Sequence, residues 1–585
     1  MDLFEFEKLV NNGNLYLDGA TGTNLQRQGL KSGACPETWI MEHPDIMQSL
    51  QLEYLRSGSN IIYAPTFTAN RVKLAEFGIR DSLPKLNHDL VSLSREAVRK
   101  YREESESSRP CFVAGDVTMT GLQLYPVGSL DFEELVDIYR EQIGELIDAG
   151  CDLLAIETMM SLNESRAALI AAREIGDFPV FVTMTFEENG RSLYGTDPLT
   201  ALLTLQSLGA TAFGINCSTG PSAMLPWIEE LTAAAEIPII CKPNAGLPKL
   251  DPVSGGTFYD LSPEDFALSM RQAVEAGARI VGGCCGTTPR HIQKLVEKTS
   301  NLKSVDKYKA ESGVHYLTSE RKSSYFSLNE GTRIIGERLN PTGKKALQAE
   351  LRDQKTDLAV EMAETQEEKG AFAIDVNVGV SGIDEKAMMQ RVIDDVSAAV
   401  SIPLVIDTSR VDVMEAALRR YPGRPLINSI SAESERMEPM LRLAKKYGAM
   451  FIILPVSDEG FPKTLEDRKR NAKIVIEKAL SMGLKKADMV VDGLVGTVAA
   501  ERNAALDTVE FIRYCKNELG LATIVGLSNI SFGLPARQKV NSAFLAMASM
   551  SGLTMALLNP EQDLLVDSLY ASNLLSGREG AAESY

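Results

Sequence analysis

Positive charge is in short supply along these 585 residues: 60 lysines and arginines face 79 acids, for a formal net charge of −19. Without a basic surplus little can displace the counterions of a nucleic-acid backbone, so no nucleic acid is expected as the main partner. Small anionic ligands, which need only a few local donors, are not excluded. Apolar runs of about 20 residues, enough to cross a bilayer, are also missing, so no membrane partner is expected. Met1–Glu7 lacks the basic-then-apolar layout of a secretory leader. Cysteine is sparse. Eight in 585 residues, adjacent only at Cys284–Cys285, do not make the framework of a secreted disulfide protein. These absences point to the reducing cytoplasm, where a cysteine is a metal ligand or inert core. The rest, 44% hydrophobic and 24% charged residues, is an ordinary soluble composition in a chain too long for one core.

Through residues 1–300, apolar and β-branched runs alternate with amphipathic helical stretches. The runs are Leu15–Leu17, Ile61–Tyr63, Phe112–Ala114, Leu153–Ile156, Val180–Thr183, Ala212–Cys217, Ile237–Cys241 and Arg279–Cys284. About eight strands, each followed by a helix, predict a closed (β/α)8 TIM barrel. Residues 301–330, with Lys303, Lys307, Lys309, Ser312, Arg321, Lys322, Ser323 and Ser324, read as a polar linker running along a surface. The alternation restarts at Arg333–Ile335 and continues to Leu553–Leu557, predicting a second (β/α)8 barrel over 331–585 with a helical tail from Glu561. The fold class is therefore α/β, two consecutive barrels. A pair of doubly wound sheets would use the same alternation, but neither first strand leads into a convincing dinucleotide-binding glycine loop. The Asp18–Thr23 segment comes nearest and matches poorly.

Working groups in such barrels gather at the carboxyl ends of the strands. Cys217 ends one run, and Cys284 and Cys285 end another among Gly282, Gly283 and Gly286. Alternating side chains on a regular strand face opposite ways, so both sulfurs reach one point only through the irregular backbone that glycine allows. Three thiolates on two strand ends suit zinc with a fourth position open for a substrate. A thiol in that position would be deprotonated by the metal. Buried free cysteines, or a vicinal Cys284–Cys285 disulfide, are the alternatives, the disulfide being disfavoured in a reducing compartment. Cys35, Cys111, Cys151, Cys241 and Cys515 read as core.

Asp18-Gly19-Ala20-Thr21-Gly22-Thr23, Gly214-Ile215-Asn216-Cys217 and Gly282-Gly283-Cys284-Cys285-Gly286 resemble the homocysteine methyltransferase family over roughly residues 1–300. The resemblance implies zinc on Cys217, Cys284 and Cys285, with homocysteine sulfur as the fourth ligand. It also implies that Thr21, Gly22, Thr23 and Glu157 hold the amino-acid end, with Asn216 in the same site. A carboxylate suits the substrate ammonium, and backbone N–H groups suit its carboxylate. Asp18 pairs the ammonium or is a turn residue; Asp18 and Glu157 count as candidate catalytic groups.

The second half carries acids and amides at its strand ends: Glu337, Asp375, Asn377, Asp407, Asn428, Asp492 and Asn529. Carboxylates accept the paired donors of a pterin edge. A magnesium site and simple helix caps are the alternatives. Gly336–Asn340, Asp375–Asn377, Ile406–Thr408, Ile427–Ser429 and Gly526–Gly533 resemble the pterin-binding methyltransferase barrels over roughly 331–580. Dihydropteroate synthases use a lysine late in the barrel. This chain has Asn529 in that region, whose amide can hydrogen-bond a ring nitrogen in either protonation state, as methyl transfer requires. Asn529 is the catalytic candidate and Arg537 joins the substrate-binding set.

A homocysteine barrel followed by a methyltetrahydrofolate barrel resembles the N-terminal half of the cobalamin-dependent methionine synthase family. The expected reaction is methyl transfer from 5-methyltetrahydrofolate to homocysteine through cobalamin on a separate domain or protein. His43, His88, His291 and His315 lie in no corrinoid-binding context. A first barrel using a small donor such as betaine or S-methylmethionine is the competing expectation.

Overall fold

Short aliphatic runs bounded by polar residues become strands buried on both faces, as parallel barrel strands must be. The computed structural model describes residues 1–105, 109–250, 257–302 and 313–585. Contacts divide it into two units, Met1–Glu311 and Ser312–Tyr585.

In the first unit β1 (Leu15–Tyr16), β2 (Ile61–Tyr63), β3 (Phe112–Val117), β4 (Leu153–Met159), β5 (Val180–Met184), β6 (Ala212–Cys217) and β7 (Ile239–Pro243) are followed by a small antiparallel pair. That pair is β8 (Lys249–Leu250) and β9 (Thr257–Phe258), and β10 (Ile280–Val281) comes after it. The sheet order is β1-β10-β7-β6-β5-β4-β3-β2, all parallel, and a bridge from Leu17 to Ile61 joins its two edges. The helix Leu3–Asn11 plugs the amino-terminal end of this barrel. Its Phe6 and Val10, one turn apart, pack into the cluster formed by Leu15, Phe181, Ala212 and Ile240.

The second unit opens with a hairpin, β11 (Val314–Thr318) and β12 (Ser323–Ser327). Its barrel is β13 (Arg333–Leu339), β14 (Ala373–Val376), β15 (Leu404–Asp407), β16 (Leu426–Ala432), β17 (Met450–Ser457), β18 (Met489–Asp492), β19 (Ala522–Gly526) and β20 (Met555–Leu558). β20 pairs back onto β13, closing the ring.

The hairpin corrects the expectation of a surface linker over 301–330. Leu317 and Phe326 are fully buried and belong to the same core as Ile335, Ala373, Val405 and Met450. His315 stacks on Phe326 at 4.9 Å, and the Tyr421 hydroxyl donates to the Thr318 carbonyl at 2.8 Å. The physical reason is a two-residue alternation that turns His315, Leu317, Ser324 and Phe326 inward and leaves Tyr316 and Tyr325 on the outer face. Lys303, Lys307, Lys309 and Ser312 lie outside the described residues. Among the described residues no helix is long and apolar enough to cross a membrane.

Candidate functional site

All eight strands of each barrel run the same way, so the residues ending them share one mouth. In the first barrel Cys217 ends β6 with φ at +62° and Ser218 follows at +44°, a left-handed step that turns the chain out of the strand. Cys284 and Cys285 follow β10 through two glycines that no larger residue could replace. A Cβ at Gly282 would lie 2.6 Å from the Leu17 Cβ, and one at Gly283 would lie 2.4 Å from the Thr287 Oγ1. The Cys284 N–H donates to the Pro243 carbonyl at 2.7 Å, and the Cys285 carbonyl accepts from the Ala245 N–H at 2.9 Å, so the loop is pinned to the end of β7.

The three sulfurs consequently lie within 4.8 Å of one another. Tetrahedral zinc thiolates have sulfurs roughly 3.8 Å apart, given a Zn–S bond of about 2.3 Å, so the donor set fits that ion. As free thiols they hold their protons. The hydrogen bond with Cys284, together with burial, pushes Cys217 up to about 12, and the hydrogen bond with Cys217, together with burial, pushes Cys285 up to about 11. Cys241 is apart from them, buried with its sulfur 4.0 Å from the Met270 sulfur.

Tyr259, just past β9, is a residue the sequence did not mark. Its phenol hydrogen-bonds the Cys285 thiol. Its ring lies over Gly286, where a Cβ would come within 2.3 Å of the ring carbon Cγ. Nothing in the local pattern sets this tyrosine apart from the chain's other fifteen.

Beside the thiols lies a buried charge cluster. The Lys242 Nζ donates to the Glu157 Oε2 and stands over the Tyr63 ring at 4.1 Å. Burial opposes the lysine's charge, but Glu157, Tyr63 and Asp18 outweigh it and hold its pKa well above the ordinary value. Asp18 accepts from the Tyr63 N–H at 2.8 Å through Oδ2, while its Oδ1 and the Oδ1 of Asp116 are buried without a hydrogen-bond partner among the described residues. Burial pushes Asp18 up to about 7 and Asp116 well above the carboxylate range.

Asn216 is engaged at both ends of its amide. It donates to the Thr158 Oγ1 at 2.7 Å and accepts from the Thr158 N–H at 3.1 Å, which holds the Glu157–Thr158 turn in place. Thr21 precedes the helix Gly22–Arg27 without a side-chain capping bond, and the Thr23 Oγ1 accepts from the Gly286 N–H at 3.1 Å, setting this segment against the cysteine loop.

At the second mouth, acids and amides interlock. The Asn428 Nδ2 donates to the Asp375 Oδ1 and the Asn377 Nδ2 to the Asp407 Oδ2, both at 3.0 Å. Burial, then the like charge of Asp407, pushes Asp375 well above its usual range. A second group forms around Glu337, which accepts from the Ser528 Oγ at 3.4 Å; Arg537 donates to the Ser528 carbonyl at 2.6 Å and to the Ser531 Oγ at 3.0 Å. Arg537 thereby braces the 3-10 turn Leu527–Ser531 that carries the exposed Asn529. Asp492 ends β18, accepts from the Leu494 N–H at 2.8 Å, and is pushed by burial up to about 6. Among the described residues, neither it nor Asn529 is bonded to the other two groups.

One barrel with a strand-end thiol trio and one with an acid–amide mouth define a two-domain chain. Residues 15–299 match the family described as homocysteine S-methyltransferase, and residues 336–559 match that described as pterin binding enzyme. Over 94% of its length it is 29% identical to methionine synthase of Mycobacterium tuberculosis (strain ATCC 25618 / H37Rv) and 28% identical to methionine synthase of Mycobacterium leprae (strain TN). It covers 47% and 48% of those proteins and so spans about half the length of the curated relatives it matches, corresponding to their N-terminal half. The metallated homocysteine methyltransferase MmuM of Escherichia coli aligns over 50% of this chain and 99% of its own, at 24% identity and a TM-score of 0.43.

Proposed function

We propose that this chain transfers a methyl group from 5-methyltetrahydrofolate to homocysteine, giving methionine and tetrahydrofolate, by way of cobalamin carried on another domain or protein. The observation that carries the reading is the convergence of Cys217, Cys284 and Cys285 within 4.8 Å at one barrel mouth. Zinc held by these three cysteines supplies the acidity that makes a substrate thiol a thiolate at neutral pH.

The chain's own residues do the rest. Glu157, kept in place by Lys242 and by the Asn216–Thr158 pair, and Asp18, with one unpartnered oxygen, receive the ammonium of homocysteine. The Thr21–Thr23 loop, packed beside the cysteines, takes the carboxylate end. In the second barrel Asp375, Asn377, Asp407, Asn428 and Asp492 accept the donor edge of the pterin, and Glu337 and Arg537 shape the turn that offers Asn529 to a ring nitrogen. Each constellation sits on its own barrel, and cobalamin on another domain or protein is the carrier proposed to serve both. The two barrels are read as independently folding modules in the reducing cytoplasm, a setting that suits eight free cysteines.

The test is a pair of half-reactions with the zinc-loaded protein and free cobalamin: methylcobalamin with homocysteine, and methyltetrahydrofolate with reduced cobalamin. Both are expected to proceed slowly, since free cobalamin lacks the orientation of a docked carrier. Failure of either half-reaction sinks the corresponding half of the proposal. Methionine formed from methyltetrahydrofolate with no cobalamin present sinks the carrier.

A further inference from the structure

The second barrel has a cavity of about 540 Å³ at the end opposite its acid–amide mouth. Its walls come from the segment before β13, the end of the helical run 504–519, the turn Met550–Gly552 before β20, and residues 576–579. All of these lie at the amino-terminal side of the strands. A pterin seated among Asp375, Asp407 and Asp492 is therefore not its occupant.

Three cations, Arg513, Lys516 and Arg578, line this cavity against one carboxylate, Glu579. In a chain with a net charge of −19, that local excess runs against the composition. Arg578 is fixed, donating to the Leu328 and Ser549 carbonyls at 3.0 Å each. Arg513 has Glu510 no nearer than 3.9 Å. Lys516 has no hydrogen bond or ion pair among the described residues. Its stem passes over Gly552, where φ is +110° and a Cβ would come within 2.5 Å of the Lys516 Cδ. Only glycine leaves the lysine that path into the cavity. Burial, then the charge of Arg578, holds the Lys516 pKa below the ordinary lysine value. Two like charges half out of water, with the exposed Glu579 as the single carboxylate on the lining, are a costly arrangement that a bound anion relieves.

We infer that this cavity is a binding site for a small phosphate-bearing molecule, with Lys516 and Arg513 contacting the phosphate and Arg578 fixing the wall behind it. Ser551 and Ser576 on the same lining already donate their hydroxyls to the Met547 and Ser572 carbonyls, which leaves the cations as the donors. The volume lies within the range of small-molecule sites and exceeds what a lone phosphate fills.

Calorimetric titration of the full chain with pyrophosphate, at ionic strength held constant with sodium chloride, tests the site. Saturable binding to one site is expected for the unaltered protein. Lys516→Met, which keeps the apolar stem, is expected to weaken it by on the order of tenfold or more, as loss of one charge-assisted hydrogen bond does. Arg513→Gln, on the exposed rim, serves as the second variant and is expected to lose less. The unfolding midpoint of the second barrel reports that both variants fold. No saturable binding to the unaltered protein, or unchanged affinity in both variants, overturns the inference. The readout involves neither barrel mouth, so it stands or falls separately from the methyl-transfer proposal.

Discussion

The Lys242 Nζ lies 2.8 Å from the Glu157 Oε2, with only 5% and 9% of the two side chains exposed. The two residues belong to β7 and β4, which β5 and β6 separate in the sheet, so the pair reaches across the barrel mouth. Removing one partner of such a pair leaves the other charge buried and uncompensated, at a cost of about 3–5 kcal/mol. Lys242→Met is expected to destabilise the first barrel by that order in denaturant unfolding. The loss should shrink as pH falls below about 7, because Asp18, one of the acids facing the lysine, then sheds its charge by protonation. A double variant, Lys242→Met with Glu157→Leu, should recover part of the stability but bind no homocysteine. Wild-type stability in the single variant would reject the role given to this pair.

Asp492 makes the stability of the second barrel depend on pH. Its folded-state value of about 6 lies above the ordinary 3.8 because burial penalises the charge. Between those values the folded protein holds the extra proton, so stability is full below about pH 4 and declines as pH rises to about 6. The change is on the order of 3 kcal/mol. Asp492→Asn should flatten that stretch of the profile. Methyltetrahydrofolate binding should show the opposite trend and tighten as pH rises through about 6, because the carboxylate is the acceptor for the pterin donors. An unchanged pH–stability profile in Asp492→Asn would show that the group does not titrate there.

Both barrels are legible in the sequence because each of their strands is a short aliphatic run between polar residues. The hairpin over 314–327 is not. Leu317 and Phe326, its inward apolar residues, share their face with the polar His315 and Ser324 and alternate with Tyr316 and Tyr325 near a lysine-rich stretch, so the hairpin looks like surface. The cysteine trio is readable because two thiols fall side by side among glycines after a strand. The partner of Lys242 is not readable, since 85 residues separate it from Glu157 and only barrel closure brings them together. Tyr259 is hidden for the same reason: its significance is its distance from Cys285.

Zinc content separates the thiols by role. About one zinc per chain is expected, lost in Cys217→Ala and in the Cys284,Cys285 double alanine variant but retained in Cys241→Ala. Tyr259→Phe removes only the hydroxyl that hydrogen-bonds Cys285. Outer partners of metal ligands of this kind are worth roughly 10–100-fold in metal affinity or activity. A loss of about tenfold in zinc affinity is therefore expected, measured by chelator competition. Full zinc in the double alanine variant would refute the site itself, and unaltered affinity in Tyr259→Phe would make the tyrosine a packing residue only.

Asn529 should act on rate more than on binding. It is exposed on the Leu527–Ser531 turn, braced from behind by the two hydrogen bonds of Arg537 and bonded to no other acid or amide of the mouth. An amide held that way can donate to a ring nitrogen or accept from it once it carries a proton, and the second interaction grows as the methyl group leaves. Asn529→Ala is expected to slow the folate half-reaction by 10-fold to 100-fold or so, with methyltetrahydrofolate affinity changed by no more than a few-fold. Arg537→Gln, which loosens the turn without removing the amide, should lower the same rate less. Its effect should largely vanish when it is combined with Asn529→Ala, because both act through one group. Additive losses in the double variant, or an affinity loss as large as the rate loss, would mean that Asn529 only holds the ligand.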